Sequence, residues 1–226
     1  MLKLLFSILT VFQISYLAAQ SISSCSNLKD FTDIVNKVVR NEKTFKITHS
    51  LSQIIEPGNT VACNQNGMHY ENSYYRVFDL TNEFNLNGDW IVQNIEIAIE
   101  QAESGNGISQ PAKLMLYVMS EYKNKIIPDS LALLIDTIEF DVYDNESGTI
   151  KNIEIPEVAN VVTGKSLVVE VLIPDGQSTE NSLFLGSNGL GETDSTYIKA
   201  SHCGINTPVP MSEIMFPNVH LIMNIY

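Results

Sequence analysis

The pattern that most limits this chain begins at Ile47. From there to Tyr226, β-branched and aromatic residues gather in short runs separated by clusters of Gly, Pro, Asn and Asp. Within several runs the apolar residues recur at every second position. Ile91, Ile95, Ile97 and Ile99 fall on one side, with Asn94, Glu96, Ala98 and Glu100 on the other. A repeat of two sends successive side chains to opposite faces of an extended strand, so one face of each run is meant to be buried. Strands are predicted over Ser73–Leu80, Trp90–Gln101, Lys113–Ser120, Leu131–Phe140, Gly148–Ile155, Ser166–Ile173, Ser182–Ser187, Thr196–Ala200 and Val219–Tyr226. Leu114, Leu116 and Val118 back onto Met115, Tyr117 and Met119, a run apolar on both faces, as a strand covered from both sides would be. Turn chemistry separates the runs at Glu56-Pro57-Gly58-Asn59, Asn87-Gly88-Asp89, Asp144-Asn145-Glu146-Ser147-Gly148 and Pro174-Asp175-Gly176. The expected fold is all-β: a jelly-roll-like antiparallel β-sandwich, built as one domain over residues 47–226. Ahead of it, Leu28, Phe31, Ile34, Val35, Val38 and Val39 recur at helical spacing, which predicts a short amphipathic N-terminal helix at about 28–41 within a spacer, residues 20–46.

The N terminus predicts export. Met1-Leu2-Lys3 gives a positive start, and Leu4 to Ala19 is uncharged and mostly apolar. That run is shorter than the roughly 20 residues a membrane-spanning helix needs. It ends in Leu17-Ala18-Ala19, so residues 1–19 read as a signal peptide cleaved before Gln20. The same segment carries a second reading. Ile22-Ser23-Ser24-Cys25 has the shape of a lipobox, which would acylate Cys25 and attach the domain to a membrane by a lipid anchor alone. Both readings give an extracytoplasmic protein, whether periplasmic, outer-membrane anchored or secreted. Of the three cysteines, Cys63 and Cys203 lie in polar loops of the folded part and form the natural disulfide pair in an oxidising compartment.

The formal net charge of −13 argues against a nucleic-acid partner or an anionic membrane surface, either of which calls for a basic face. Common catalytic and metal signatures are missing from the sequence. The four histidines, His49, His69, His202 and His220, show no HExxH or HxH spacing, there is no CxxC pair, and no GxSxG elbow is present. His69 and His202 lie close in sequence to Cys63 and Cys203, so a disulfide there could let the two imidazoles approach one another. Hard oxygen donors in acidic loops, Asp175, Glu192 and Asp194, form a candidate structural calcium site, although no EF-hand spacing accompanies them. Trp90 is the sole tryptophan and follows the turn at Asn87-Gly88-Asp89, where it reads either as an exposed platform for sugar stacking or as a core aromatic. Tyr74-Tyr75 with Arg76 places one tyrosine on each sheet face, and Tyr74 and Arg76 join Trp90 as the candidate ligand-binding set.

From about His49 onward the chain resembles a jelly-roll accessory domain of secreted and surface proteins of Bacteroidota. The likeness is carried by Asn72-Ser73-Tyr74-Tyr75-Arg76-Val77-Phe78-Asp79-Leu80, Ile99-Glu100-Gln101-Ala102, Pro174-Asp175-Gly176 and Gly186-Ser187-Asn188 with Gly191-Glu192-Thr193. It continues through Tyr197-Ile198-Lys199-Ala200 to Cys203-Gly204 and Phe216-Pro217-Asn218-Val219-His220. The resemblance implies a non-catalytic accessory module and supplies no catalytic residues. Such domains usually precede adhesive repeats or a C-terminal secretion-sorting domain. Here the sequence stops at Tyr226, just after the last expected strand, which favours a periplasmic or lipid-anchored version. The functional expectation is an exported, non-catalytic binding or adhesion module acting on a glycan or another envelope component. An extracytoplasmic glycosidase-like hydrolase on the same scaffold, or a purely structural envelope protein, are the alternatives. The sequence leaves the oligomeric state open.

Overall fold

The computed structural model describes residues 45–120, 122 and 125–226. The signal peptide, the helix expected at 28–41 and Cys25 lie outside the described residues.

The remainder is an all-β sandwich. In chain order its strands are β1 (Ile47–Thr48), β2 (Asn64–Gln65), β3 (Met68–His69), β4 (Asn72–Phe78), β5 (Trp90–Glu103), β6 (Ser109–Met119), β7 (Ala132–Tyr143), β8 (Thr149–Val161) and β9 (Ser166–Ile173). They continue with β10 (Ser182–Leu185), β11 (Ser187–Asn188), β12 (Thr196–Ala200), β13 (Ile205–Pro210), β14 (His220–Leu221) and β15 (Met223–Ile225). One sheet has six strands in the order β13-β12-β4-β9-β6-β7. The other centres on β5, with β8 along one edge and both β10 and β15 along the other, and β1 beyond β15. All of these pairings are antiparallel. The chain passes repeatedly from one sheet to the other, from β4 to β5 to β6 and from β7 to β8 to β9 to β10, which is the winding of a jelly roll.

Alternation places the core. Ile95, Ile97 and Ile99 on β5, Leu114 and Leu116 on β6, and Val169, Val171 and Ile173 on β9 meet between the sheets, each almost fully buried. On β4 the inward residues are Tyr74, Arg76 and Phe78, while Tyr75 and Val77 face outward into a smaller cluster with Met119, Ile126, Val168 and Tyr197. Ile91 departs from the expected register. A bulge between Val92 and Asn94 resets the alternation, so Val92 enters the core and Ile91 stays 41% exposed. The predicted last strand, Val219–Tyr226, divides at Ile222: β14 pairs with β11, whereas β15 pairs with β5 and β1.

The disulfide between Cys63 and Cys203 is present, with the Cα atoms 5.9 Å apart. It ties the segment before β2 to the turn after β12. Such a bond belongs to an oxidising compartment rather than to the reducing cytosol. Among the described residues no helix is long and apolar enough to cross a membrane.

Candidate functional site

β4 carries the polar chemistry of the sandwich at both of its ends. At its start, Asn72 is fully buried and its side-chain amide holds the disulfide segment. Asn72 Oδ1 accepts the Cys63 N–H at 2.8 Å, and Nδ2 donates to the Cys63 and Tyr70 carbonyls. His69 lies just before it and is buried, with Nδ1 accepting the Leu183 N–H at 3.0 Å. Burial lowers the His69 pKa, opposed by the Pro174 carbonyl, the Asp175 charge and the Asn181 carbonyl. His202 stacks on Tyr70 with ring centroids 3.5 Å apart, so the two histidines beside the disulfide are held by separate partners.

At the far end of β4 a second polar cluster forms from four segments. The 191–193 segment pairs with the backbone just after β1, through Leu51 N–H to Gly191 O and Thr193 N–H to His49 O. This places His49 over the end of β4, stacked on Phe78 at 5.1 Å and edge-on to Phe84 at 5.0 Å. The turn after β4 is held by Asp79, which accepts the Asn82 N–H and side-chain amide, and it presents Glu83 to the same spot. Asp194 arrives on the segment leading into β12. One donor atom each from His49, Glu83 and Asp194 lies within 4.8 Å of the others. His49 Nε2 is 3.5 Å from Glu83 Oε2, and Nδ1 is 2.7 Å from Thr193 Oγ1. His49 is 1% exposed, and its Nε2 has no hydrogen-bond partner.

Arg76, one turn of the strand pleat away, is also fully buried. Its Nη1 donates to Glu192 Oε2 at 2.9 Å and to the Asp194 carbonyl at 2.6 Å, and its Nη2 donates to the Leu221 carbonyl at 2.6 Å. Glu192 also accepts the Thr196 N–H and hydroxyl. The electrostatics follow from these positions. Burial, with the Arg76 charge adding to it and the Val77 carbonyl opposing, lowers the His49 pKa to about 3, so its imidazole is neutral at physiological pH. Burial and the neighbouring Asp194 and Asp79 charges raise that of Glu83, against the Asp79 backbone hydrogen bond. Tyr122 donates to Asp194 Oδ2 at 2.6 Å and meets the Tyr197 hydroxyl at 2.8 Å. Burial, then hydrogen bonding to Asp194 and Tyr197, drives the Tyr122 pKa upward.

A third arrangement lies on the outer face of the six-stranded sheet. Across β12, β4, β9 and β6 the register aligns Tyr197, Tyr75, Glu170 and Met115 in one row, and Lys199, Ser73, Leu172 and Lys113 in the next. Glu170, 7% exposed, accepts the Tyr75 hydroxyl at 2.8 Å and the Tyr117 hydroxyl at 3.0 Å, one on each carboxylate oxygen. Burial and the Glu170 charge raise the pKa of both phenols.

The residues singled out from sequence are dispersed by this fold. Tyr74 is fully buried, with its hydroxyl donating to the Val61 carbonyl, and Arg76 is locked in the interior, so neither offers a surface to a sugar ring. Trp90 is half-buried against the core. Asp175 lies at the His69 end, where its carboxylate accepts the Gln177 N–H, whereas Glu192 and Asp194 lie at the opposite end of β4. The three do not converge as a calcium site, and Glu192 is already committed to Arg76. Asp194 instead meets His49 and Glu83, residues separated from it by more than a hundred positions in sequence; no local spacing could have signalled that meeting. Comparisons with protein-family models, curated proteins and solved structures return no match.

Proposed function

We propose that the protein is an exported, non-catalytic binding module that recognises a glycan of the bacterial envelope or its surroundings, of the jelly-roll accessory type its motifs resemble. The observation that carries this reading is the outer face of the six-stranded sheet. There Tyr117, Met115 and Leu172 offer half-buried apolar surface, Lys113 and Lys199 offer polar groups beside it, and the buried Tyr75–Glu170 pair anchors the Tyr117 hydroxyl from beneath. Aromatic and apolar faces receive the C–H side of a sugar ring, while fixed hydrogen-bonding groups orient its hydroxyls. The phenols are pinned by a shared carboxylate, so little side-chain freedom is lost on binding. The disulfide supports a place outside the cytosol, and the lipid-anchored, periplasmic and secreted forms all fit it.

The test is a glycan-array screen of the chain from Gln20 onward, with and without Ca2+, followed by titration of any hit against Tyr117→Ala. We expect that variant to weaken binding by about threefold to tenfold, the size of one aromatic contact. Silence on the array in both conditions would overturn the glycan reading and favour a structural role in the envelope.

A further inference from the structure

We propose that His49, Glu83 and Asp194 form a binding site for a divalent transition-metal ion of the Zn2+ class. The site would fasten three segments together: the chain after β1, the turn after β4 and the strand entering β12. This inference does not depend on the glycan reading, since it rests on other residues in another part of the fold.

The geometry points to it in three ways. The first is the convergence of acceptors. In the tautomer whose Nδ1–H donates to Thr193 Oγ1, the Nε2 lone pair faces the Glu83 carboxylate 3.5 Å away, with a carboxylate oxygen of Asp194 in the same cluster, and ionised carboxylates are acceptors only. Three electron-rich atoms within 4.8 Å repel one another unless a proton or a cation lies among them, and a metal ion can satisfy all three at once. The imidazole is 1% exposed and stacked between Phe78 and Phe84, so it cannot turn its unpartnered nitrogen to water. The second is spacing. Donor atoms about 2.1 Å from a common tetrahedral ion stand roughly 3.4 Å from each other, and His49 Nε2 is 3.5 Å from Glu83 Oε2. The third is that two of the donor groups are themselves held by neighbouring side chains. Thr193 Oγ1 holds His49 Nδ1 at 2.7 Å and so orients the ring, and Tyr122 holds Asp194 Oδ2 at 2.6 Å, as the outer partners of metal ligands do.

Charge and donor type narrow the ion. Arg76 is close, but its guanidinium is engaged by Glu192 and by two backbone carbonyls, which leaves the Glu83 and Asp194 charges to face a dication. One imidazole with two carboxylates suits a borderline metal. Calcium prefers six to eight oxygen donors, and a buried imidazole serves it poorly. Glu83, with a third of its side chain exposed, leaves a route in from solvent.

The experiment uses untagged, chelator-treated protein from Gln20 onward, titrated with Zn2+ by calorimetry and with Co2+ by visible absorption. One ion per chain is expected, with Co2+ giving the d–d bands of a low-coordinate site. The unfolding midpoint should rise by roughly 5–10 °C at a Zn2+ concentration a hundredfold above the dissociation constant. Glu83→Gln and Asp194→Asn should each weaken binding at least tenfold, whereas Glu180→Gln, an exposed carboxylate elsewhere, should not. His49→Gln risks misfolding because of its burial, so the exposed Glu83 variant decides the matter once its unfolding curve without metal matches the parent. The proposal is overturned if no stoichiometric ion binds, if binding survives both carboxylate variants, or if Ca2+ binds there in preference to Zn2+.

Discussion

The two ends of β4 each bury a histidine, and they treat it in opposite ways. At the disulfide end, His69 is 2% exposed and its Nδ1 has a backbone N–H to accept. Asn72 and the Cys63–Cys203 bond secure the chain around it. At the other end, His49 is 1% exposed and sets an unpartnered nitrogen 3.5 Å from the Glu83 carboxylate, with Asp194 in the same cluster, beside an arginine with no exposed surface. One end is closed by covalent and backbone bonds. The other is a concentration of charge whose cost in a low-dielectric interior has to be offset by mutual pairing or by a ligand. A buried histidine is therefore informative only through what its second nitrogen faces.

The largest expected effect falls on the closed end. Replacing both Cys63 and Cys203 by Ser frees a loop spanning a sequence separation of 140 and should cost roughly 2–5 kcal/mol, toward the upper limit because the loop is long. Urea unfolding measures it. The comparison predicts that the folded fraction of this variant still binds Zn2+ as the parent does; loss of binding would mean that the two ends are not independent. The next effect belongs to the charged end. Arg76→Ala strips Glu192 of its cationic partner, leaves the Asp194 carbonyl without a donor and leaves the Leu221 carbonyl only the Ser50 hydroxyl, which should cost about 3–5 kcal/mol. A loss below about 1 kcal/mol would show that water replaces the guanidinium and that this end is wetter than its burial implies.

Smaller again is Gly176→Ala. A Cβ at Gly176 would stand 2.6 Å from the His69 ring and 2.9 Å from Asn181 Cβ, although the backbone conformation there suits any residue. Relief requires the ring to move off the Leu183 N–H, at a cost of roughly 1–3 kcal/mol. The same substitution should leave the His49 end untouched.

What the sequence discloses differs between fold and site for a physical reason. Period-two patterning is local, so β9 and β12 were predicted to the residue and β4 to β8 in their central parts. Strands whose residues break the pattern were not visible. Ile205–Pro210 contains two prolines, yet it pairs with β12 because it lies at the sheet edge, where a missing N–H costs nothing. The Cys63–Cys203 pairing was legible because only one sensible partner existed. The His49–Glu83–Asp194 cluster was not, since it is assembled from three loops by the sheet register. Arg76 drew notice as part of a conspicuous tyrosine motif, but the alternation that sends Tyr75 outward is what sends Arg76 into the interior beside Tyr74.

The finest test of the comparison is acid stability. The folded His69 pKa lies below its ordinary value near 6.5 because burial penalises the charged ring, and protonating Nδ1 would also forfeit the bond from Leu183. Between the folded and unfolded pKa values the unfolded chain binds more protons. Stability therefore falls as pH drops below about 6.5, by no more than about 1.4 kcal/mol per pH unit for this one group, and levels off below the folded pKa. His69→Asn, whose side-chain oxygen can accept the same N–H, should lessen the acid slope in chelator-treated buffer, leaving the share that buried His49 contributes, while changing stability at pH 8 by less than about 1.5 kcal/mol. Ring-proton NMR gives the direct reading. A His69 ring that titrates near 6.5 in the folded protein would show that the closed end is open to solvent, and the contrast between the two histidines would then collapse.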